Sequence, residues 1–183
     1  MRGRAKIASL LLSGVLATGA LAGAGGPAQA ADLPRPPWRF WLNASSRMCL
    51  DVLDPASGNF ATVDQSPCRE NVSQTWQYQF LDNDFFMLRN SASGECLGLV
   101  DFSHDNGAPV VQLPCNRDDD RVIWTAVMSH IRGTPGFSVP LMFVSAPTNK
   151  CLDVENGWPV DQLPMQLWTC NFKTGNQAWL GYF

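Results

Sequence analysis

The chain has 183 residues and a formal net charge of −3, from 16 acidic and 13 basic side chains. Basic side chains form no cluster beyond the first few residues, and this argues against nucleic acid as a partner. The only long apolar run lies near the amino terminus, so no later segment predicts a membrane span.

The first thirty residues predict a secretory signal peptide. Three basic residues precede an apolar run from Ile7 to about Ala22, and Ala28-Gln29-Ala30 is a small-x-small cleavage site. A membrane anchor is the alternative, but the run is rich in Ala and Gly and no stop-transfer pattern follows it. Cleavage after Ala30 would leave 153 of the 183 residues as a secreted, extracellular protein. Residues 31–37 contain three prolines and predict a short extended linker.

Six cysteines divide the remaining chain into three similar repeats. The two cysteines of each successive pair are 19 positions apart. Equal spacings indicate an internal repeat in which each copy closes its own disulfide. Paired cysteines can also bind metal, but the close Cys-x-x-Cys spacing of such sites is absent, so we expect no metal. Each bridge should contribute about 3 kcal/mol by the chain-entropy model. The predicted pairs are Cys49–Cys68, Cys96–Cys115 and Cys151–Cys170.

Other residues repeat in step with the cysteines. A leucine follows the first cysteine of each pair, and a tryptophan follows the second at 8, 9 and 9 positions. In the first and third copies a glutamine stands two residues before that tryptophan. We expect these leucines and tryptophans to share one core. They are Leu50, Leu97, Leu152, Trp76, Trp124 and Trp179, with the glutamines Gln74 and Gln177.

The local pattern predicts an all-β protein. Short apolar or alternating runs are separated by clusters of turn residues, and no window has a sustained helical period. Seven extra residues separate the second and third copies, and we place this insertion near Ser129–Pro140. Three copies that close around an axis would leave few strand edges, with the last strand paired to the first. The predicted strands are 38–42, 76–80, 85–88, 110–113, 122–127 and 141–144.

The Cys-Leu-Asp-Val segment, the repeated cysteine pairs and the Gln-x-Trp segments resemble the ricin B-chain type lectin domain. The resemblance covers residues 38–183, essentially all of the chain after the linker. It implies a β-trefoil of three pseudo-symmetric repeats, at about 38–80, 81–128 and 138–183. It also implies carbohydrate binding in shallow pockets, one on each functional repeat.

The resemblance assigns roles to residues of the third repeat. In the family, an Asp after the first cysteine binds two sugar hydroxyls, and an aromatic ring before the second cysteine stacks on the sugar. Amide side chains add polar contacts. A carboxylate makes strong bonds to hydroxyls, and a ring offers flat apolar area. The third repeat has every one of these groups: Asp153, Gln166, Trp168, Asn176 and Gln177.

The other two repeats match less well. The first repeat keeps Asp51 and Gln74, but Asp64 takes the place of the polar Gln and Ser66 that of the ring, so a second, weaker site is expected there. In the second repeat Gly98 replaces the Asp and Leu113 the ring, and we expect that copy to be structural only.

We therefore expect a carbohydrate-binding lectin with one main site. Galactose-type sugars and plant polysaccharides such as xylan both suit the family. The alternative is a non-catalytic scaffold or toxin-accessory subunit that binds a protein or another cell-surface partner. We expect no enzyme activity and no cofactor, because the two histidines, His104 and His130, lie in unrelated loops and no catalytic motif is present.

Overall fold

The computed structural model describes residues 39–182 and consists of short β-strands joined by turns. The predicted signal peptide, the linker, Trp38 and Phe183 lie outside the described residues. Within residues 39–182, no helix is long and apolar enough to cross a membrane. The strands are β1 Phe40–Asn43, β2 Cys49–Val52, β3 Val63–Ser66, β4 Trp76–Phe80, β5 Phe86–Asn90, β6 Cys96–Leu99, β7 Ala108–Leu113, β8 Trp124–Met128, β9 Leu141–Ser145, β10 Cys151–Asp153, β11 Leu163–Pro164, β12 Gln166–Trp168 and β13 Trp179–Tyr182.

Six strands pair into a closed ring. Strands β4 and β5, β8 and β9, and β13 and β1 form the long antiparallel pairs. Shorter pairings, Arg39 with Trp76, Phe86 with Trp124 and Leu141 with Trp179, complete the ring within each repeat. The expected pairing of the last strand with the first is thus confirmed, and the ring has no open edge.

The remaining strands form three hairpins, β2–β3, β6–β7 and β10–β12. The hairpins also pair with one another: β3 with β11, β7 with β12, and Thr62 with Val111. Each repeat therefore supplies two ring strands and one hairpin. In the third repeat, the second half of the hairpin consists of two short strands, β11 and β12. This arrangement is a β-trefoil, as the sequence predicts.

The repeated tryptophans and leucines meet in one core, as predicted. Each tryptophan indole nitrogen also donates to the carbonyl of the leucine in its own repeat, at 3.0, 2.9 and 3.3 Å. These bonds satisfy the only polar atom that the buried indole brings inside. The residues concerned are Leu50, Leu97, Leu152, Trp76, Trp124 and Trp179.

The three disulfides join the predicted cysteines, with Cα–Cα distances of 5.0–5.1 Å. The predicted insertion is a loop between β8 and β9, and its His130 is exposed. One predicted strand begins too early: Val122 lies in a 3-10 turn, Asp120–Val122, and β8 starts at Trp124. The side chain of Asp119 accepts from the backbone of Arg121 and stabilises that turn.

Candidate functional site

The hairpin β10–β12 places three of the predicted residues on one face. Asp153 lies directly opposite Gln166, and Cys151 lies opposite Trp168. Because side chains alternate along a strand, Gln166 and Trp168 point to the same side as Asp153. The intervening Leu152 and Leu167 are fully buried in the core, on the other face. The alternation of polar and apolar residues in the sequence therefore fixes which side chains line the site.

Three amide side chains converge on the carboxylate of Asp153. Gln166 Nε2 donates to Oδ1 at 2.9 Å. Asn176 Nδ2 and Gln177 Nε2 donate to Oδ2 at 2.6 and 3.0 Å. The sequence-predicted set is therefore gathered around one acid, with Trp168 beside it. Such bonds orient the carboxylate and leave part of its accepting capacity for hydroxyl donors.

Burial governs the ionisation of this acid. Asp153 is buried, and desolvation raises the pKa of its carboxyl above the ordinary value. The hydrogen bonds from Gln166 and Gln177 oppose this by lowering the pKa, while the nearby Glu155 carboxylate raises it further. The amide donors are thus the groups that favour the charged form needed for strong bonds to hydroxyls.

Gln177 has a second role in the fold. Its Nε2 also donates to the carbonyl of Thr169 at 3.1 Å, and its Oε1 accepts from the backbone of Asn171 at 2.7 Å. The first repeat has the same arrangement: Gln74 donates to Asp51 at 2.8 Å and accepts from the backbone of Arg69 at 2.8 Å. The Gln-x-Trp glutamine therefore fastens the segment after the disulfide to the Asp of its repeat.

Residues of the first repeat contact the loop that carries Asn176 of the candidate site. The buried Asn43 donates from Nδ2 to the carbonyl of Asn176 at 2.9 Å. A Cβ added at Gly175 would approach the Ser45 hydroxyl to 2.7 Å, and one at Gly157 would approach the Ser45 Cβ to 2.8 Å. The loop that carries Asn176 therefore lies tightly against the β1–β2 turn. Sequence reasoning missed Asn43 and Ser45, because both precede the first cysteine of another repeat.

The second repeat supports the segment that follows Trp168. Asn106 Oδ1 accepts from the backbone N–H and the hydroxyl of Thr169 at 2.9 and 3.0 Å. It also accepts from Lys150 Nζ at 2.8 Å. Sequence analysis did not single out the turn that contains Asn106, yet this turn holds Thr169, the residue next to Trp168.

Trp168 is 42% exposed and borders a shallow cavity of about 170 Å³. The cavity includes four of the five predicted residues, and Gln177 lies just behind them as a partner of Asp153. Sequence reasoning missed Glu155 and Asn156, which form its other wall. The lining residues are Asp153, Glu155, Asn156, Gln166, Trp168 and Asn176.

In the first repeat the corresponding residues are together but buried. Asp51, Asp64 and Gln74 are 5%, 0% and 0% exposed. Asp64 lies directly opposite Asp51, the position that Gln166 has opposite Asp153. Within residues 39–182, neither carboxylate oxygen of Asp64 has a hydrogen-bond partner. The residue opposite Asp51 is therefore another acid, whereas the residue opposite Asp153 is an amide donor.

The surroundings of Asp64 favour its neutral form. Burial, followed by the charges of Asp51 and Asp161, raises the pKa of Asp64 from 3.8 to about 7, against a small opposing effect of its own backbone. Asp161 belongs to a third-repeat segment that packs over β3 and forms an exposed ion pair with Arg69 at 3.7 Å. The same segment accepts two bonds from Gln65, through the carbonyls of Trp158 and Val160.

The second repeat has apolar side chains where the third has its site. A Cβ added at Gly98 would lie 3.0 Å from Leu113 Cδ1 and 3.1 Å from Val122 Cγ1. The atoms nearest to a side chain at position 98 therefore come from the same repeat. This is consistent with the prediction that the second copy is structural. Within residues 39–182, no group of three or more His, Cys, Asp or Glu side chains could hold a metal ion.

Residues 37–113 match the family model described as the ricin-type beta-trefoil lectin domain-like family. The match covers the first repeat and most of the second, and does not include the third. Together with the similar solved structures, it confirms the resemblance read from the cysteine and Gln-x-Trp patterns. No curated protein sequence matches the chain.

Several solved structures share the fold. The designed 3-fold symmetric protein ThreeFoil has a TM-score of 0.70 at 23% identity, over 80% of this chain and 98% of its own. The Macrolepiota procera ricin B-like lectin in complex with lactose has a TM-score of 0.65 at 18% identity, over 82% and 97%. The exo-beta-1,3-galactanase 1,3Gal43A from Clostridium thermocellum has a TM-score of 0.71 at 23% identity, over 82% of this chain but only 31% of the galactanase. The TM-scores show that these proteins and this chain share a fold.

Proposed function

We propose that this chain, a β-trefoil of the ricin B lectin type, is a secreted carbohydrate-binding module whose main sugar site lies in the third repeat. In this proposal Asp153 accepts hydrogen bonds from two neighbouring sugar hydroxyls. Trp168 stacks on the apolar face of the sugar, and Gln166 and Asn176 bond to its rim. The ligand is a galactose-type sugar or a plant polysaccharide such as xylan.

One observation carries this proposal: the exposed ring of Trp168 and the amide-bonded carboxylate of Asp153 line the same cavity. To be bound, a single sugar ring needs both a flat apolar surface and oriented hydrogen-bond acceptors within its reach. The counterparts of Trp168 in the other repeats are the buried Ser66 and Leu113. A ring that is exposed in one repeat and missing in the others is better explained by ligand binding than by packing.

Asp51, Asp64 and Gln74 remain the proposed second, weaker site. Their burial means that a sugar could reach them only if the third-repeat segment around Asp161 moved away from β3. A shallow single site binds weakly, at dissociation constants on the order of 1 mM or about −4 kcal/mol. Biological binding through the third repeat would therefore need a multivalent target.

We also propose that residues 1–30 are a signal peptide, 31–37 a linker and 38–183 one lectin domain. The three disulfides suit an oxidising, extracellular environment. The module is proposed to act by binding alone, without catalysis, as suits a fold of the lectin type. If the target is not a glycan, the runner-up is a scaffold or toxin-accessory role at a cell surface.

A glycan array and a polysaccharide pull-down with the folded protein test the proposal. Wild type should bind galactose-containing glycans or xylan, and Asp153→Asn should not. The matched control is Asp118→Asn, which alters an exposed acid outside both proposed sites and should leave binding unchanged. Absence of binding to every glycan by folded wild-type protein would reject the lectin function and favour a protein partner.

A further inference from the structure

A cavity of about 390 Å³ lies at one end of the six-stranded ring, apart from the proposed sugar sites. Each of the three pairings that close the ring contributes one bordering residue, and these are Arg39, Phe86 and Leu141, one from each repeat. None of the residues proposed to bind sugar borders this cavity. Its volume is within the range of about 300–1,000 Å³ that small-molecule sites usually have.

The cavity results from unequal side chains at equivalent positions of the three repeats. Two residues after the repeated tryptophan, the first repeat has Tyr78, the second Ala126 and the third Gly181. A Cβ added at Gly181 would approach the ring of Trp41 to 2.9 Å, so Trp41 takes the room beside that glycine. Tyr78 and Ala126 both border the cavity, and the small Ala126 leaves open the space that a second large side chain would fill.

Four aromatic residues border the cavity, and Tyr78 contacts the other three. Its ring stacks on Phe80 with centroids 5.4 Å apart. It makes edge contacts with Trp41 at 5.7 Å and with Phe86 at 4.6 Å. Phe80 is 65% exposed, so this aromatic wall extends to the protein surface and gives a ligand a way in. Such rings offer flat apolar area to another flat ring.

Two polar groups of these aromatic residues have no hydrogen-bond partner within residues 39–182, namely the indole N–H of Trp41 and the hydroxyl of Tyr78. Trp41 is fully buried, whereas Tyr78 is only partly buried, so its hydroxyl is the one that a ligand can reach. Burial raises the pKa of Tyr78 above its ordinary value, against a smaller lowering by Arg39. The hydroxyl therefore keeps its proton at neutral pH and can donate to an acceptor.

The charges that border the cavity are opposite in sign. Arg39 and Asp84 both line it, so the cavity as a whole favours neither an anion nor a cation. We propose that it binds a small, uncharged aromatic molecule that carries a hydrogen-bond acceptor. The ring of this ligand packs against the aromatic wall, and its acceptor bonds to the hydroxyl of Tyr78. This activity goes beyond sugar binding and is independent of it, because the two sites share no residue.

Acetophenone and α-methylstyrene are matched probes for this site, because they have the same shape and differ in having a carbonyl oxygen or a methylene group. Nuclear magnetic resonance titration of isotope-labelled protein follows the indole N–H signals. The Trp41 signal should move saturably with both probes, and the Trp168 signal should move with neither. Tyr78→Phe should weaken acetophenone binding about fivefold and leave α-methylstyrene binding unchanged, because it removes only the donor.

Ala126→Leu fills the cavity and should weaken the binding of both probes at least about tenfold. The matched control is Val127→Leu at the next position of β8, whose side chain points to the other face and does not border the cavity. This control should bind both probes as wild type does. An unmoved Trp41 signal with both probes in folded wild type, or an equal effect of Tyr78→Phe on both affinities, would overturn the inference. Lactose binding is measured separately, so either result leaves the sugar-binding proposal standing.

Discussion

Gln166 donates a hydrogen bond of 2.9 Å to the carboxylate of Asp153, the residue directly opposite it on the paired strand. At the same register of the first repeat, Asp64 lies opposite Asp51, and none of the residues that the structure describes donates a hydrogen bond to its carboxylate oxygens. One cross-strand pair thus combines a donor with an acceptor, and the other combines two acids. We expect this contrast to make the two repeats differ in both stability and sugar binding.

The first prediction concerns pH. Asp64 has a folded-state pKa of about 7 against an ordinary value of 3.8, so the folded protein binds a proton that the unfolded chain releases. Stability from this group is complete below pH 4 and is lost as the pH rises to about 7, by about 4 kcal/mol. Urea denaturation of wild type and Asp64→Asn at several pH values measures the difference. The variant should lack this fall, since its amide can donate to Asp51.

The exposed Asp118→Asn is the control for that series and should follow the wild-type profile at every pH. Parallel profiles for wild type and Asp64→Asn between pH 4 and 7 would show that Asp64 does not hold the extra proton.

A second prediction concerns the structural repeat. Gly98→Asp gives the second repeat the acid that the other two repeats have, but its side chain would enter a space bounded by Leu113 and Val122 at about 3 Å. We expect a loss of about 2–4 kcal/mol in unfolding free energy and no new sugar site, because a carboxyl would be buried without a partner. Thermal and urea denaturation measure the loss.

Gly133→Asp serves as the comparison for Gly98→Asp. A Cβ there would meet only Pro140, at 3.6 Å, in the insertion loop, so its stability should change by less than about 0.5 kcal/mol. Similar stability losses in both variants would mean that the space beside Gly98 is not what excludes the acid.

A third prediction tests support from a neighbouring repeat. Asn106→Ala removes the acceptor that holds Thr169, the residue after Trp168. Because Asn106 is exposed, unfolding free energy should fall by only about 1 kcal/mol, while sugar affinity should fall about three- to tenfold. Asp101 is an exposed residue in the same loop between β6 and β7, and Asp101→Ala should change neither the unfolding free energy nor the sugar affinity. Unchanged affinity in Asn106→Ala would show that the turn does not position the ring.

Much of the fold was predictable because it repeats. The cysteine spacing determined all three disulfides, and the recurring leucines and tryptophans determined the core. The strands that begin at Cys49, Cys96 and Cys151 were not predicted. Every residue in them is buried, so the buried and exposed positions that make a half-buried strand recognisable do not alternate there.

The candidate site was predictable only within its own repeat. Asp153, Gln166 and Trp168 follow from the family resemblance of the third repeat, but Asn43 and Asn106 reach the candidate site from other repeats. The pKa of Asp64 likewise depends on Asp161, which lies about a hundred residues further along the chain. Gln65 and Gln112 each lie one position along the strand from the residue that matches Gln166. Because side chains alternate along a strand, both point to the opposite face and donate to backbone carbonyls of other loops.

Intrinsic tryptophan fluorescence during titration with galactose, lactose and xylo-oligosaccharides tests the central claim most directly. Wild type and Trp158→Ala, whose ring is 50% exposed, should show the same saturable change. Trp168→Ala should fold normally and show none. A saturable change that persists in Trp168→Ala, or no change in folded wild type with any of these sugars, would contradict a sugar site on the third repeat.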